Sequence, residues 1–396
     1  MRRLCELLGL PQNRYATIHV VGTNGKTSVS RMTAALLEAH GMSTGAYLSP
    51  HLLTWRERIR LRGEPIPEAE FAAAIERCVE AAGIAERGFE KGEKVTQYEL
   101  ITAAAFLAFA QARLDAAVIE AGLGGRLDAS NVIRSKVSVL TSVGLDHTEW
   151  LGDDVASIAT EKLEVLGQHS TLVVGELPPE AMAVARRYAA ERQAELIEAP
   201  AEPPAQFADL VPPGYQRRNL AIALTAAGEF LGKLDDEAIL SAGAGLSVPG
   251  RAELHEGDPA VLYDTAHNPD GARALAESLP ELTGGRPVIA CLALLADKDA
   301  AGICAALAPA CEAAVCTEFP AAAVHGSGRP GGEAIAAERL AELWRQAGGR
   351  AEALSDPWEA WESCRSRARE EGGVALAAGS HYLLRCLWTG KYAENS

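Results

Sequence analysis

No run in the 396-residue sequence approaches the roughly 20 consecutive apolar residues that cross a bilayer, so no membrane partner is expected. The opening stretch begins with Arg2 and Arg3 but has neither the uninterrupted apolar segment nor the small-residue cleavage site of a secretory signal, which points to the cytoplasm. Basic charge is in short supply: 37 Lys and Arg stand against 53 Asp and Glu, a net of −16. Such a chain has no field to recruit nucleic acid by counterion release, and a polyanionic substrate would need a locally basic pocket. The eight cysteines include no CxxC pair, which fits a reduced protein with buried thiols. Cys311 and Cys316 come closest to a metal-ligand pair, and core packing accounts for them better. Short internal repeats are also missing.

Apolar residues make up 48% and charged residues 23% of the chain, the balance of an ordinary globular protein. Its length suits two domains, each with its own core. Ala16–Val21 reads as a first strand, followed by a glycine turn and a helix from Lys26 to Ala39 that Gly41 would stop. A short strand Gly45–Leu48, a helix from Pro67 and a helix over Glu99–Ala112, apolar nearly all round, come next. Ala116–Ala121 and Val137–Val143 have the composition of buried strands. The proline- and alanine-rich stretch Glu198–Pro213 reads as a loop before a helix over Gln216–Phe230. Past a boundary near Ser247 the alternation restarts, with strands Val261–Asp264, Val288–Leu292, Ala313–Thr317 and Val374–Ala378. Helices are expected after Pro269 and over Ala300–Leu307, Glu333–Gln346 and Pro357–Glu370. The pattern predicts an α/β protein of two domains: residues 1–247 around a central, mainly parallel sheet, and residues 248–396 as a smaller, Rossmann-like unit.

Between the first strand and its helix lies Gly22-Thr23-Asn24-Gly25-Lys26-Thr27-Ser28, the setting a phosphate-binding loop requires. Glycines let backbone N–H groups curl around oxyanions, and the helix N-terminus adds partial positive charge. Lys26 could reach the β- and γ-phosphates and Thr27 could face magnesium. Val20 stands where the usual first glycine would be, and a chance glycine turn is the plain alternative.

GTNGKT is typical of the Mur ligase superfamily, and other segments narrow the resemblance. Ser49-Pro50-His51-Leu52 through Glu57-Arg58-Ile59, Glu120 through Asn131 (EAGLGGRLDASN), Gly144-Leu145-Asp146-His147-Thr148, Ala159-Thr160-Glu161-Lys162, Pro249-Gly250-Arg251 and Asp264-Thr265-Ala266-His267-Asn268-Pro269 follow one another along nearly the whole chain. Together they resemble folylpolyglutamate and dihydrofolate synthases, the FolC-like branch, with Ser130 in place of that signature's threonine.

The resemblance implies an ATP-dependent ligase. A folate-type carboxylate takes the γ-phosphoryl group, and the amine of L-glutamate attacks the resulting acyl phosphate. It implies ATP and two magnesium ions as cofactors, leaves a monovalent cation open, and implies a monomer. Glu120 and Ser49 would share one magnesium, His147 would hold a second, and Lys162 would be a metal ligand as its carbamate, since a bare ammonium cannot bind a cation. Asn219, in Gln216-Arg217-Arg218-Asn219, would contact nucleotide; Arg251 and Asp264 would hold its phosphates and ribose from the second domain, with domain closure coupled to catalysis. His267 and Ser380 fall where glutamate is received, and Tyr98 would flank a pterin ring or simply pack in the core.

Three departures bear on the pterin rather than on ATP. Thr27 follows Lys26 where folate enzymes commonly have glycine, only 21 residues precede Gly22, and His325–Pro330 stands in place of a Pro-Arg-Ala segment. Two other functions compete. A Mur-type ligase for another acid normally carries a nucleotide-sugar domain ahead of the loop. A nucleotide switch without ligation would have no need of Glu120, His147 and Lys162 together.

Overall fold

The computed structural model describes residues 1–90, 92–325 and 332–393, so Gly326–Pro330 of the departing segment lies outside the described residues. The chain divides into two compact units, Met1–Leu210 with Arg218–Ser247, and Val211–Arg217 with Val248–Ser396.

The first unit is built on eight strands: β1 (Ala16–Val21), β2 (Thr44–Tyr47), β3 (Ile59–Leu61), β4 (Glu64–Pro65), β5 (Ala116–Glu120), β6 (Val137–Leu140), β7 (Thr171–Val174) and β8 (Glu195–Glu198). Their order in the sheet is β4-β3-β2-β5-β1-β6-β7-β8. Pairing is parallel from β2 to β8, and the β3–β4 hairpin adds an antiparallel edge. Buried β-branched and alanine runs in β1, β5 and β6 suit strands covered on both faces. Alternate residues serve different cores: Ala117 and Ile119 pack under the helices Glu68–Ala85 and Gln97–Gln111, while Val21 and Leu140 pack under Val155–Leu163 and Pro179–Arg192.

The expected helix Glu99–Ala112 begins two residues earlier, at Gln97. Thr96 caps it, accepting from Glu99 N while the Glu99 carboxylate reaches back to Thr96 N, a reciprocal pair that puts Glu99 inside the first turn. Strands β3, β4, β7 and β8 and the helix Pro179–Arg192 were not expected. The strands are two to four residues long, too brief to show a period, and β8 is half exposed. Within the expected loop Glu198–Pro213, Glu198 closes β8 and Ala205–Leu210 forms a 3₁₀ helix.

The second unit has strands β9 (Glu253–His255), β10 (Ala260–Tyr263), β11 (Val288–Leu292), β12 (Ala313–Cys316), β13 (Ala351–Ala353) and β14 (Val374–Ala378), in the order β13-β12-β11-β14-β10-β9. All pairs are parallel except β9 with β10. The helix expected from Glu333 starts at Ala337 instead. Glu333 and Ala334 are held extended against Leu295–Ala296, through an isolated bridge and an Ala296 N–H donated to the Glu333 carbonyl. No helix among the described residues is long and apolar enough to cross a membrane.

Phe106 is fully buried between helix and sheet. Truncation to alanine is expected to destabilise the first unit by about 3–5 kcal/mol, read as a lower denaturant midpoint at unchanged m-value.

Candidate active site

The loop between β1 and the helix Lys26–Ala39 is tied to the end of β6. Thr23 N donates to Ser142 O at 2.9 Å, Asn24 N to Ser142 Oγ at 2.9 Å, and Thr141 Oγ1 to Asn24 O at 2.6 Å. Thr23 Oγ1 bonds the backbone of Gly144 in both directions. Gly25 is left-handed at φ +84°, and a Cβ there would lie 2.6 Å from Asn219 Oδ1, so only glycine lets Asn219 sit on the loop. Lys26 Nζ donates to the carbonyls of Gly22 and Thr23, at 3.0 and 3.1 Å. Ser28 lies deeper, with a buried hydroxyl that has no hydrogen-bond partner.

Glu120 ends β5 beside Val20, its carboxylate buried. It accepts from Thr27 Oγ1 at 2.9 Å and from Ser49 N at 3.0 Å, so one carboxylate and two hydroxyl residues from three segments converge. Among the described residues no three His, Cys, Asp or Glu side chains form a metal-holding group. One carboxylate beside the Thr27 hydroxyl suits magnesium, which takes few protein ligands and shares phosphate and water oxygens.

Lys162, on the helix Val155–Leu163, is buried and donates to Gly22 O at 2.9 Å. Two amines therefore converge on the Gly22 carbonyl. Burial, then the charge of Lys26, pulls the Lys162 amine down to about 7, with Asp146 and Asp128 opposing. Gly125 lets that helix approach: a Cβ there would meet the carbonyl oxygens of Lys162 and Glu161 at 2.6 and 2.7 Å. His147 is left-handed at φ 53°, precedes the short helix Thr148–Leu151, and lies with Nε2 3.8 Å from Asp146 Oδ1. Its neighbour Asp146 acts on the Lys162 amine through its negative charge.

Tyr98 packs its hydroxyl against Gly122, and that hydroxyl is buried without a hydrogen-bond partner. Burial, with Asp128 adding, raises its pKa well above the usual phenol value. Thr141, Ser142, Asp128 and Asp146 went unassigned in the sequence. Two of them sit in the quoted signatures, but nothing local marks Thr141 and Ser142 as anchors of a loop over a hundred residues away.

In the second unit, Asp264 follows β10 and is buried. Its Oδ2 accepts from the Tyr215 hydroxyl and from Ala252 N, and its Oδ1 from Ala266 N at 2.8 Å. Burial raises its pKa while Arg251 opposes. Asp264 thus braces the turn carrying Arg251, and Gln216 Nε2 adds a bond to Arg251 O at 3.1 Å. His267 hydrogen-bonds Thr265 O through Nδ1 at 2.8 Å. Ser380, after β14, is buried and accepts from Tyr382 N at 3.1 Å, so its hydroxyl caps the helix His381–Ala393.

Gly25→Ala is expected to weaken ATP binding about tenfold or more, because a Cβ displaces Asn219 and strains the left-handed turn. Titration calorimetry reads the effect, and an unchanged Kd would contradict it.

Comparison with known proteins places these elements. Residues 20–206 match the family "Mur ligase middle domain", and residues 250–381 match "Mur ligase, glutamate ligase domain". The dihydrofolate synthase/folylpolyglutamate synthase of Mycobacterium tuberculosis is 35% identical over 352 residues, covering 79% of this chain and 72% of that protein. The crystal structure of M. tuberculosis folylpolyglutamate synthase complexed with ADP and AMPPCP superposes with a TM-score of 0.88 at 32% identity, over 98% of this chain and 93% of that one. A bifunctional folylpolyglutamate synthase/dihydrofolate synthase with Mn, AMPPNP and L-glutamate bound gives 0.81 at 29% identity, over 99% and 94%. By fold, signature and relatedness, the chain belongs to the dihydrofolate synthase/folylpolyglutamate synthase family of the Mur ligase superfamily.

Proposed function

We infer that the protein is an ATP-dependent amide ligase that adds L-glutamate to the carboxylate of dihydropteroate or a folate through an acyl phosphate. The observation that carries this is the convergence of Lys26 and Lys162 on Gly22 O, beside Glu120, Thr27 and Ser49, in a chain of that family. We assign ATP binding to residues 1–247 and the incoming amino acid to residues 248–396.

In this reading the amides of Gly22 to Ser28 and the ammonium of Lys26 receive the triphosphate, which draws Lys26 off its own loop carbonyls. Asn219 borders the loop at Gly25 and contacts the nucleotide. Thr27, Ser49 and Glu120 would hold magnesium, with His147 and Lys162 serving a second ion; bound there, the metal neutralises crowded oxyanions. A monovalent cation remains a further candidate. A carboxylate oxygen of the acid then attacks the γ-phosphorus and ADP leaves; the glutamate amine adds to the acyl carbon, and phosphate departs as the amide forms. Tyr98 borders the acid. Arg251 and Asp264 belong to the nucleotide, and His267 and Ser380 to glutamate. The protein acts as a cytoplasmic monomer.

Lys162 serves as a metal ligand only as its carbamate. The neutral amine attacks the carbon of CO₂, a C=O electron pair moves to oxygen, and the nitrogen loses a proton. An amine at about 7 is roughly one-tenth neutral at pH 6 and nine-tenths at pH 8. At fixed CO₂ pressure the ¹³C carbamate signal should therefore rise steeply across that interval. A signal falling with pH, or its persistence in Lys162→Ala, would refute the assignment. Lys162→Ala should lose turnover and regain part of it with short-chain carboxylic acids.

Lys26→Ala is expected to lower kcat/KM by about 100-fold or more, and near-normal turnover would sink the phosphate-loop reading. The whole function is tested by an ATP-consumption screen crossing dihydropteroate and reduced folates with a panel of amino acids. Phosphate release should require both an acid and L-glutamate. Turnover with neither would favour a nucleotide switch, and dependence on a different acid another Mur-type ligase.

A further inference from the structure

At the turn that follows Glu120 lies a chain of hydrogen bonds, buried at its His19–Ser130 end, that the ligase chemistry leaves unused. Asp128 accepts four of them. Its Oδ2 takes Gly122 N at 3.0 Å and Leu123 N at 2.9 Å, and its Oδ1 takes Ser130 N at 2.9 Å and Ser130 Oγ at 2.5 Å. The Ser130 hydroxyl has one proton and donates it to Asp128, so toward its other close neighbour it can only accept. That neighbour is His19 Nε2, at 2.7 Å. His19 must then carry its proton on Nε2, which leaves Nδ1 as a buried acceptor, and Nδ1 has no hydrogen-bond partner.

The location gives the arrangement its meaning. His19 lies in the middle of β1, the strand that runs into the phosphate loop, with Ile119 of β5 on one side and Ser138 of β6 on the other. Its imidazole links that strand to the turn after Glu120. The same turn holds Gly122, against which Tyr98 packs its hydroxyl. A partnerless buried nitrogen is destabilising, and an apolar residue in the middle of β1 would serve the fold alone better.

We propose that His19 and Ser130 are positioning residues of the ligase: the chain from His19 Nε2–H through Ser130 Oγ–H to the Asp128 carboxylate locks the Gly122–Leu123 backbone, and thereby the setting of Tyr98 toward the acid substrate. This rests on the ligase reading above, and its first readout is independent of it.

In full-length protein labelled with ¹⁵N at histidine, His19 should show a neutral Nε2–H pattern from about pH 6 to 8, identified by its loss in His19→Gln. Ser130→Ala should move that proton upfield and raise KM for dihydropteroate about tenfold, with KM for ATP unchanged. Ser130→Thr keeps the hydroxyl and should restore both. An Nδ1–H pattern in the wild type, an unchanged KM for dihydropteroate in Ser130→Ala, or a Ser130→Thr protein behaving like Ser130→Ala overturns the proposal. Should the wild type ligate neither dihydropteroate nor tetrahydrofolate, the ligase reading fails first. The Nε2–H signal then decides the chain alone: its response to Ser130→Ala supports it, and indifference overturns it.

Discussion

Two amines turned onto one carbonyl oxygen set the terms for the first unit. Lys26 and Lys162 both donate to Gly22 O, and Lys162 does so from within the protein. Burial of the Lys162 ammonium, and after it the like charge of Lys26, makes the buried partner give up its proton readily. Such an arrangement is relieved by anions. In the proposed function a triphosphate beside Lys26 and a carbamate on Lys162 would supply them, which would reconcile a net charge of −16 with a polyanionic substrate. The chain as a whole repels phosphate, while its loop concentrates positive charge at one point.

Close approach of backbone makes that concentration possible. Gly25 admits Asn219, Gly125 admits the backbone of the helix carrying Lys162, and Gly122 admits the Tyr98 hydroxyl. In each case a methyl group would stand under 3 Å from its neighbour. These glycines work as contact points between segments far apart in the chain. The parallel sheet keeps them in register, because β1, β5 and β6 run side by side and deliver their C-terminal loops to one edge.

The second unit uses a carboxylate differently. Asp264 spends both oxygens on hydrogen bonds within the unit, from Tyr215, Ala252 and Ala266. It gathers a helix start and two turns around the segment bearing Arg251 and His267. A position read from the signature as a ligand contact thus has a bracing duty first, and Ser380 likewise gives its hydroxyl to a helix N-terminus.

Much was already legible in the chain. The strand, the glycine turn over Gly22 to Ser28 and the start of the next helix, which the phosphate-loop reading requires, could all be placed, because strand period, glycine freedom and helix start are properties of a few neighbouring residues. The order of the signatures then named the family, and alternating strands and helices the fold class. Short edge strands such as β4 and β13 escaped, since two or three residues have no period of their own. Only the tertiary structure decided that Thr141 and Ser142 anchor the loop, that Asn219 covers Gly25, and that His19 reaches Ser130. Those contacts depend on which strands become neighbours in the sheet, and strand order arises from packing the whole chain, a choice that propensities acting over a handful of residues cannot make.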